Sequence, residues 1–519
     1  MKTVHIIAPW GEKNMEAVPG ETLREALLRA GIPGIYPCGG GGRCGKCAVR
    51  AQGELSPRTA EEAALLPDEG MRLACSVRVL GDVTVRLGEQ GDIRVEVGAS
   101  AGIPGDETAK TGDLGLAVDV GTTTVAAYLY DLREGRLLDA AGRQNVQCAY
   151  GSDVISRMEY GLSHPERADV LSRMLTEQIA ELGRALAYRQ GRAAERIRRV
   201  TVAGNTVMEH YAAGLDPSGM ARSPFVPESL FGISYLAKQI FSSPFGDAEV
   251  YFCPCVSPFV GGDVTAGALA SGVDGKACVL LADVGTNGEM LLWAHGRRFA
   301  TSTAAGPAFE GAGLTCGMPA LPGAVNAVRR TEDGFAFSTV DNAPVRGFCG
   351  SGILDLTAAL LEAGAVDESG RMCFPEEAPE AVRPWMIRVG DQAAFRLEEG
   401  VVFTAGDVRA LQTAKAAFRA GLEILLDRAG IGADEVTALR LAGGFGTRLD
   451  PASAARIGLI PRELLPVCVQ AGNTAGAGAG LALCPDLRPR LEALASGTEW
   501  VDLNGLADFN DRFVEQMLF

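Results

Sequence analysis

Histidine is scarce in this chain: His5, His164, His210 and His295 are the only four in 519 residues, too scattered to suggest a histidine-built metal or catalytic cluster. Positive charge is short as well. Lys+Arg total 48 against 64 Asp+Glu, and the formal charge of −16 repels polyanions, which argues against nucleic acid as a partner. No apolar run approaches the roughly 20 residues that a membrane helix needs. The opening MKTVHIIAPWGEK lacks the basic start, apolar core and small-residue cleavage site of a signal peptide. A cytoplasmic protein without membrane attachment is the expectation. With 47% hydrophobic and 22% charged residues the composition is that of a folded globular protein, and 519 residues call for two or three domains.

Cysteine is abundant. Thirteen of them, an odd number in a chain without an export signal, argue for metal binding and buried thiols rather than a disulfide framework. Three fall in CGGGGRCGKC, residues 38 to 47, a string open to two readings. From Gly40 it runs G-x-x-x-x-G-K through Gly45 and Lys46, as a phosphate-binding loop does, but Cys47 stands where a Ser or Thr hydroxyl is needed for Mg²⁺. A soft thiolate suits that hard cation poorly. The G-x-G-x-x-G from Gly40 to Gly45 fails too, since no strand-to-helix turn of a βαβ unit surrounds it.

Metal binding is the better reading. Cys38, Cys44 and Cys47, with Cys75 from RLACSV, give C-x5-C-x2-C-x27-C, one residue from the plant-type 2Fe-2S spacing. Small residues around Cys38 let backbone N–H groups approach the cluster sulfides. Structural zinc is the alternative, although it is normally built from two close Cys pairs, and only one C-x2-C pair exists here. Cys253 and Cys255 in FCPC are expected to be buried core residues. Around these thiols, TVHIIAP, KCAVRAQG and GDVTVRLGEQ read as strands and ETLREALLRAG as a helix, so residues 1–90 form one small α/β domain. Residues 91–114, rich in Gly, Ala, Thr and acidic side chains, read as a linker.

A D-V-G-T string then occurs twice. LGLAVDVGTTTVAAYLYDL places Asp119, Gly121, Thr122, Thr123 and Thr124 between apolar strands, and VLLADVGTNGEMLLWA does the same with Asp283, Gly285, Thr286, Asn287 and Gly288. Such a recurrence suggests an internal duplication. A hairpin tipped with Gly and Thr can offer N–H groups to phosphate oxygens, and an Asp at the strand end can hold Mg²⁺ directly or through water. A third glycine turn, ALRLAGGFGT, leaves bare backbone at Gly443, Gly444 and Gly446 for a flat ligand. GNTAGAGAGLAL reads as a helix start whose small residues pack closely.

These three turns, in this order, resemble the acetate and sugar kinase, heat-shock chaperone and actin superfamily. That resemblance implies a duplicated ribonuclease-H-like (actin-like) ATPase with halves at 115–275 and 276–519. It makes Asp119 to Thr124 the first phosphate motif, Asp283 to Gly288 the second and Gly443 to Gly446 the adenosine motif. Joined to a ferredoxin-like β-grasp domain, the whole chain resembles the reductive activators of corrinoid proteins. The resemblance implies ATP, Mg²⁺ and a 2Fe-2S cluster, an upstream low-potential electron donor, and electron transfer to the Co(II) centre of a corrinoid protein in a methyltransferase system. It also carries over a homodimer. Longer relatives hold linker and middle modules before the ATPase, and here only a short hinge is read. Asp153 and Glu289 are candidates for positioning the attacking water. The 301–317 stretch, TSTAAGPAFEGAGLTCG, is read as a partner-facing loop in which Ser302 and Thr303 offer hydroxyls to cobalt and Ala305 lies at the contact. Two other classes stay open: an ATP-gated redox sensor or assembly factor, and a small-molecule kinase with a regulatory cluster.

Overall fold

The apolar stretches read above fold as strands of three main sheets. The computed structural model describes residues 2–8, 11–30, 32, 45, 47–66, 68–87, 102–151, 153–242, 245–273, 277–332, 334–398, 400–443 and 449–519. Cys38, Cys44, Lys46, Gly444 and Gly446 lie outside them, as does the 91–101 part of the expected linker.

The N-terminal domain has strands β1 (Thr3–Ala8), β2 (Gly11–Glu16), β3 (Ala48–Leu55), β4 (Met71–Leu73) and β5 (Val79–Arg86), in the order β2-β1-β5-β3-β4. First and last strands run parallel side by side while β2 and β3 flank them antiparallel, with the helix Leu23–Arg29 covering the sheet. This is a β-grasp. The helix starts at a Thr22/Glu25 capping box, which satisfies two orphan N–H groups at once. In β5, Val79, Val83 and Val85 are buried while Leu80 and Asp82 face out, the period-2 alternation of a half-buried strand.

The next sheet contains β6 (Leu114–Val120), β7 (Thr124–Asp131), β8 (Arg136–Gln144), β9 (Ile197–Gly204), β10 (Ile233–Leu236) and β11 (Glu249–Phe252), ordered β10-β11-β9-β6-β7-β8. The last sheet begins with β12 (Val279–Val284), β13 (Gly288–Ala294) and β14 (Arg297–Thr303). Two three-stranded sheets are inserted after them: β15 (Ala324–Thr331), β16 (Gly334–Thr339) and β17 (Gly347–Phe348), then β18 (Met386–Val389), β19 (Gln392–Glu398) and β20 (Val401–Thr404). It ends with β21 (Ala438–Ala442), β22 (Cys468–Gly472) and β23 (Thr498–Trp500), giving β22-β21-β12-β13-β14-β23.

The duplication is visible in the pairing. β8-β7-β6-β9-β11 and β14-β13-β12-β21-β22 share one plan: an antiparallel three-strand meander whose first strand pairs in parallel with the fourth, itself parallel to the fifth. Each half is thus ribonuclease-H-like. Except for Asp119, β6 is fully buried, as expected of a strand covered on both faces. Helices Gly262–Ala270 and Thr474–Ala482 lie between the two sheets, in one core with Tyr128 and Tyr130 from the first and Leu281 and Leu291 from the second. Their crossing depends on glycine: a Cβ at Gly478 would lie 1.9 Å from the Ala266 carbonyl oxygen, and one at Gly476 2.4 Å from the Tyr128 ring.

The N-terminal domain and the expected linker are both joined to this body. Ala149 is buried in the core of the β-grasp domain, and the Arg24 guanidinium donates to its carbonyl. Residues 102–113, expected as linker, are instead fastened down. Ile103 N–H donates to Gly135 O at 2.8 Å, and Asp106 pairs with Arg199 at 2.5 Å. Leu114, expected as the last linker residue, opens β6. No helix among the described residues is long and apolar enough to cross a membrane.

Candidate active site

Cys47 and Cys75 come from positions just before β3 and just after β4, and the Ala74 N–H to Cys47 O bond of 3.1 Å holds the two segments together. Their sulfurs lie 3.2 Å apart, buried and without a disulfide between them. Two such thiols can reach one iron, the donor chemistry an iron–sulfur cluster requires. Cys253 and Cys255 are buried, as expected, beside Glu209.

The two D-V-G-T turns face each other within reach of a single side chain, Glu310. In the first, Gly121 N–H closes on Thr124 O at 2.9 Å. The turn is braced from behind: Asn145 donates Nδ2–H to Gly121 O at 2.9 Å and N–H to Thr123 O at 2.8 Å. Arg157, fully buried, donates to Thr122 O at 2.5 Å and Gly151 O at 3.0 Å, and Asn205 donates to the Thr122 hydroxyl at 3.0 Å. Asp119 Oδ2 accepts from Asn473 Nδ2 at 2.6 Å. Asn473 is also the N-cap of the central helix Thr474–Ala482, accepting from Gly476 N–H, so one amide side chain fixes both the helix start and the carboxylate.

The second turn is held differently. Gly285 N–H meets Asn287 O at 3.1 Å, and Gly306 N–H meets Thr286 O at 2.9 Å. Gly443 crowds Asp283: a Cβ there would lie 2.2 Å from Asp283 Oδ1, and its φ of +89° is one that glycine adopts without strain. Among the described residues no side-chain donor is bonded to Asp283. Glu310 reaches this turn as well, accepting from Thr286 N–H at 3.0 Å and the Thr286 hydroxyl at 2.8 Å, and also from the Thr123 hydroxyl of the first turn at 2.5 Å.

Four carboxylates share the space between the turns: Asp119, Asp283, Glu289 on β13, and Asp263 in the first turn of the helix Gly262–Ala270. Burial raises all four, and the others' charges add to it for Asp263, Asp283 and Glu289. Asp119 is pushed up to about 6, the Asn473 bond holding it down, while Asp283 reaches about 8. Glu289 rises well above the usual carboxylate range, and its Oε1 is buried with no hydrogen-bond partner among the described residues. Crowded, repelling, under-bonded oxygens fit a hard divalent cation. Among the described residues no three His, Cys, Asp or Glu side chains converge to cage an ion.

The structure brings Asp119, Asp283 and Glu289 together and places other candidates elsewhere. Asp153 caps the helix Val154–Leu162, its Oδ1 accepting from Ser156 N–H at 2.8 Å beside Arg157, which is a capping role rather than a water-positioning one. The 301–317 stretch is not one exposed loop. Residues up to Thr303 finish β14, and Pro307–Glu310 form a 3-10 turn. Thr303 is buried with its hydroxyl on Gly288 O at 3.2 Å, and Ala305 is buried too, so neither faces a partner. Ser302 is half-buried, opposite Glu289 in the sheet. Asp263, Asn473 and Glu310 were not singled out from the sequence. GGD before an apolar helix reads as an ordinary helix start, and Glu310 meets Thr123 only across 187 positions.

Comparisons with known proteins agree with this architecture. The family described as 2Fe-2S iron-sulfur cluster binding domain matches residues 10–80, RACo middle region matches 114–276, and C-terminal domain of RACo, the ASKHA domain, matches 277–519. The match at 114–276 coincides with the first ribonuclease-H-like half. Corrinoid activation enzyme RamQ of Eubacterium limosum is 35% identical over 396 residues, 73% of this chain and 66% of RamQ. A [Co(II) methylated amine-specific corrinoid protein] reductase of Methanosarcina barkeri is 24% identical over 69% of this chain and 68% of its own. The chain therefore spans about two thirds of the length of these curated relatives. Among solved structures, a reductive activator for corrinoid, iron-sulfur protein superposes with a TM-score of 0.71 and 27% identity, covering 99% of this chain and 98% of that one.

Proposed function

This chain belongs to the RACo family, and on that premise we propose that it returns the Co(II) centre of a corrinoid protein to Co(I), with one electron drawn from a 2Fe-2S cluster and ATP driving the uphill step. The observation that carries this reading is the presence, in one chain, of a touching pair of buried thiols in a β-grasp domain and two facing D-V-G-T turns with a carboxylate group between them.

Cys47 and Cys75, with Cys38 and Cys44 by their spacing, would hold the cluster. The Thr122–Thr123 and Thr286–Asn287 turns cradle phosphate oxygens through N–H and hydroxyl groups, and Gly443, continued by Gly444 and Gly446 in sequence, backs the adenosine. Asp119 and Asp283 are the residues that would hold Mg²⁺. Glu289, with its buried Oε1 beside the turn, would accept the proton of the attacking water. When bound, the cluster supplies the single electron, and Mg²⁺ offsets the charge of phosphates and carboxylates. An upstream low-potential donor restores that electron after each turnover. Energy input is needed because plant-type clusters lie near about −400 mV, and each ~60 mV by which the acceptor lies lower costs tenfold in the equilibrium. Nucleotide can supply that bias only through different affinities for two arrangements of the halves.

The test is anaerobic: a Co(II) corrinoid protein is mixed with the reduced protein, with and without MgATP, and the cobalt spectrum is followed. Co(I) should form with MgATP. Equal formation without it, or none with it, contradicts the reading.

A further inference from the structure

Glu310 accepts from three donors, Thr286 N–H, the Thr286 hydroxyl and the Thr123 hydroxyl, at 3.0, 2.8 and 2.5 Å. Two belong to the second phosphate turn and one to the first, so this carboxylate ties the two halves together across the space assigned above to phosphate. A carboxylate and a phosphate ask for the same donors. The Thr286 N–H carries a single hydrogen, and two anions placed side by side there repel.

Resting on the nucleotide reading above, we propose that Glu310 is a resident competitor for the phosphate-binding donors, which the terminal phosphate of a bound nucleoside triphosphate must displace. The backbone around it is built to hold that side chain in place. Glu310 ends the turn Pro307–Glu310, which lies between Gly306 at φ +81° and Gly311 at φ +74°, and is pinned beneath by buried Ala308 and Phe309. A Cβ at Gly311 would lie 2.6 Å from Met318 O, so the chain beyond the turn is packed as closely. The backbone stays anchored while the carboxylate swings away, and nucleotide entry exchanges an internal bridge between the halves for one made by the ligand. Glu310 thereby acts as a positioning residue that sets nucleotide affinity and reports the nucleotide to both turns.

The experiment is calorimetric titration of wild type, Glu310→Ala and Glu310→Gln with MgATP and MgADP, alongside thermal unfolding of each protein without nucleotide. Glu310→Ala should bind MgATP about tenfold more tightly, since the competing contacts need not be broken first. Its unfolding temperature without nucleotide should fall, because the bridge is lost. Glu310→Gln, uncharged but able to accept, should lie between the two. Opposite movement of affinity and stability is the signature, since a merely structural residue would lower both. Weaker or unchanged MgATP binding in Glu310→Ala overturns this inference while leaving the nucleotide reading standing. Absence of MgATP binding in the wild type overturns both.

Discussion

The two facing turns share one sequence, D-V-G-T, and are held in different ways. The first is braced from behind its own half by Asn145, Arg157 and Asn205, and its Asp119 is bonded to Asn473. The second is held by Thr303, whose hydroxyl donates to Gly288 O, and by the Asn287–Glu289 side-chain bond. Glu310 bonds both this turn and the other, and among the described residues Asp283 has no bonded side-chain donor to offset its crowding. The duplicated hairpins thus differ in what holds them, the first by donors of its own half and the second in part by a side chain shared with the first. That asymmetry is what a closing motion needs: a fixed jaw and a jaw whose contacts can change when a ligand arrives.

Removing the brace should have the larger effect. Arg157→Ala strands the Thr122 and Gly151 carbonyls in a buried site, and each unsatisfied group costs about 1–3 kcal/mol. Chemical denaturation should therefore show a loss of about 3 kcal/mol, with nucleotide affinity falling as the first turn loosens. A change within experimental error would mean that the first turn is no more fixed than the second.

The carboxylates separate the turns by pH. Their ionisation lies higher in the folded protein than in the unfolded chain, where an aspartate titrates near 3.8. The stability they contribute is therefore present in acid and lost as pH rises, through about 6 for Asp119 and about 8 for Asp283. Without metal or nucleotide, stability should decline from weak acid to pH 8, by at most about 1.4 kcal/mol per pH unit for each titrating group. Asp283→Asn should flatten the upper part of that decline and Asp119→Asn the lower part. MgATP, which favours the ionised forms, should protect more at pH 8 than at pH 6. The same slope in both variants would remove the distinction between the turns.

Much of this architecture is legible in the sequence because it is local. Apolar strands around a D-V-G-T turn reveal themselves by pattern, as do the three close cysteines and the small-residue helix at Thr474. Residues that act across the cleft leave no such mark. Glu310 is an acid in a Gly/Pro-rich stretch, and the residue it bonds in the other half is 187 positions away. Asp263 follows two glycines whose purpose is packing, a Cβ at Gly262 falling 2.2 Å from Glu209 Oε1. Asp153 misleads for the opposite reason: an acid before VISRM suits a helix cap as well as an active site, and capping is where it is found. The β2 strand GEKNME carries little apolar signal and is recruited by pairing with β1.

The most direct test of the account is a stoichiometric anaerobic single turnover in which cluster absorbance and Co(I) formation are recorded together, in wild type and in an Asp119→Asn/Asp283→Asn double variant with intact cluster. In the wild type, with MgATP, one electron should leave the cluster for each Co(I) formed. In the variant the cluster should stay reduced and the rate should fall by a factor on the order of 10² or more, the scale of losing preorganised electrostatic groups. Equal Co(I) formation by the two proteins would show that the facing turns do not gate the electron, and would contradict the account.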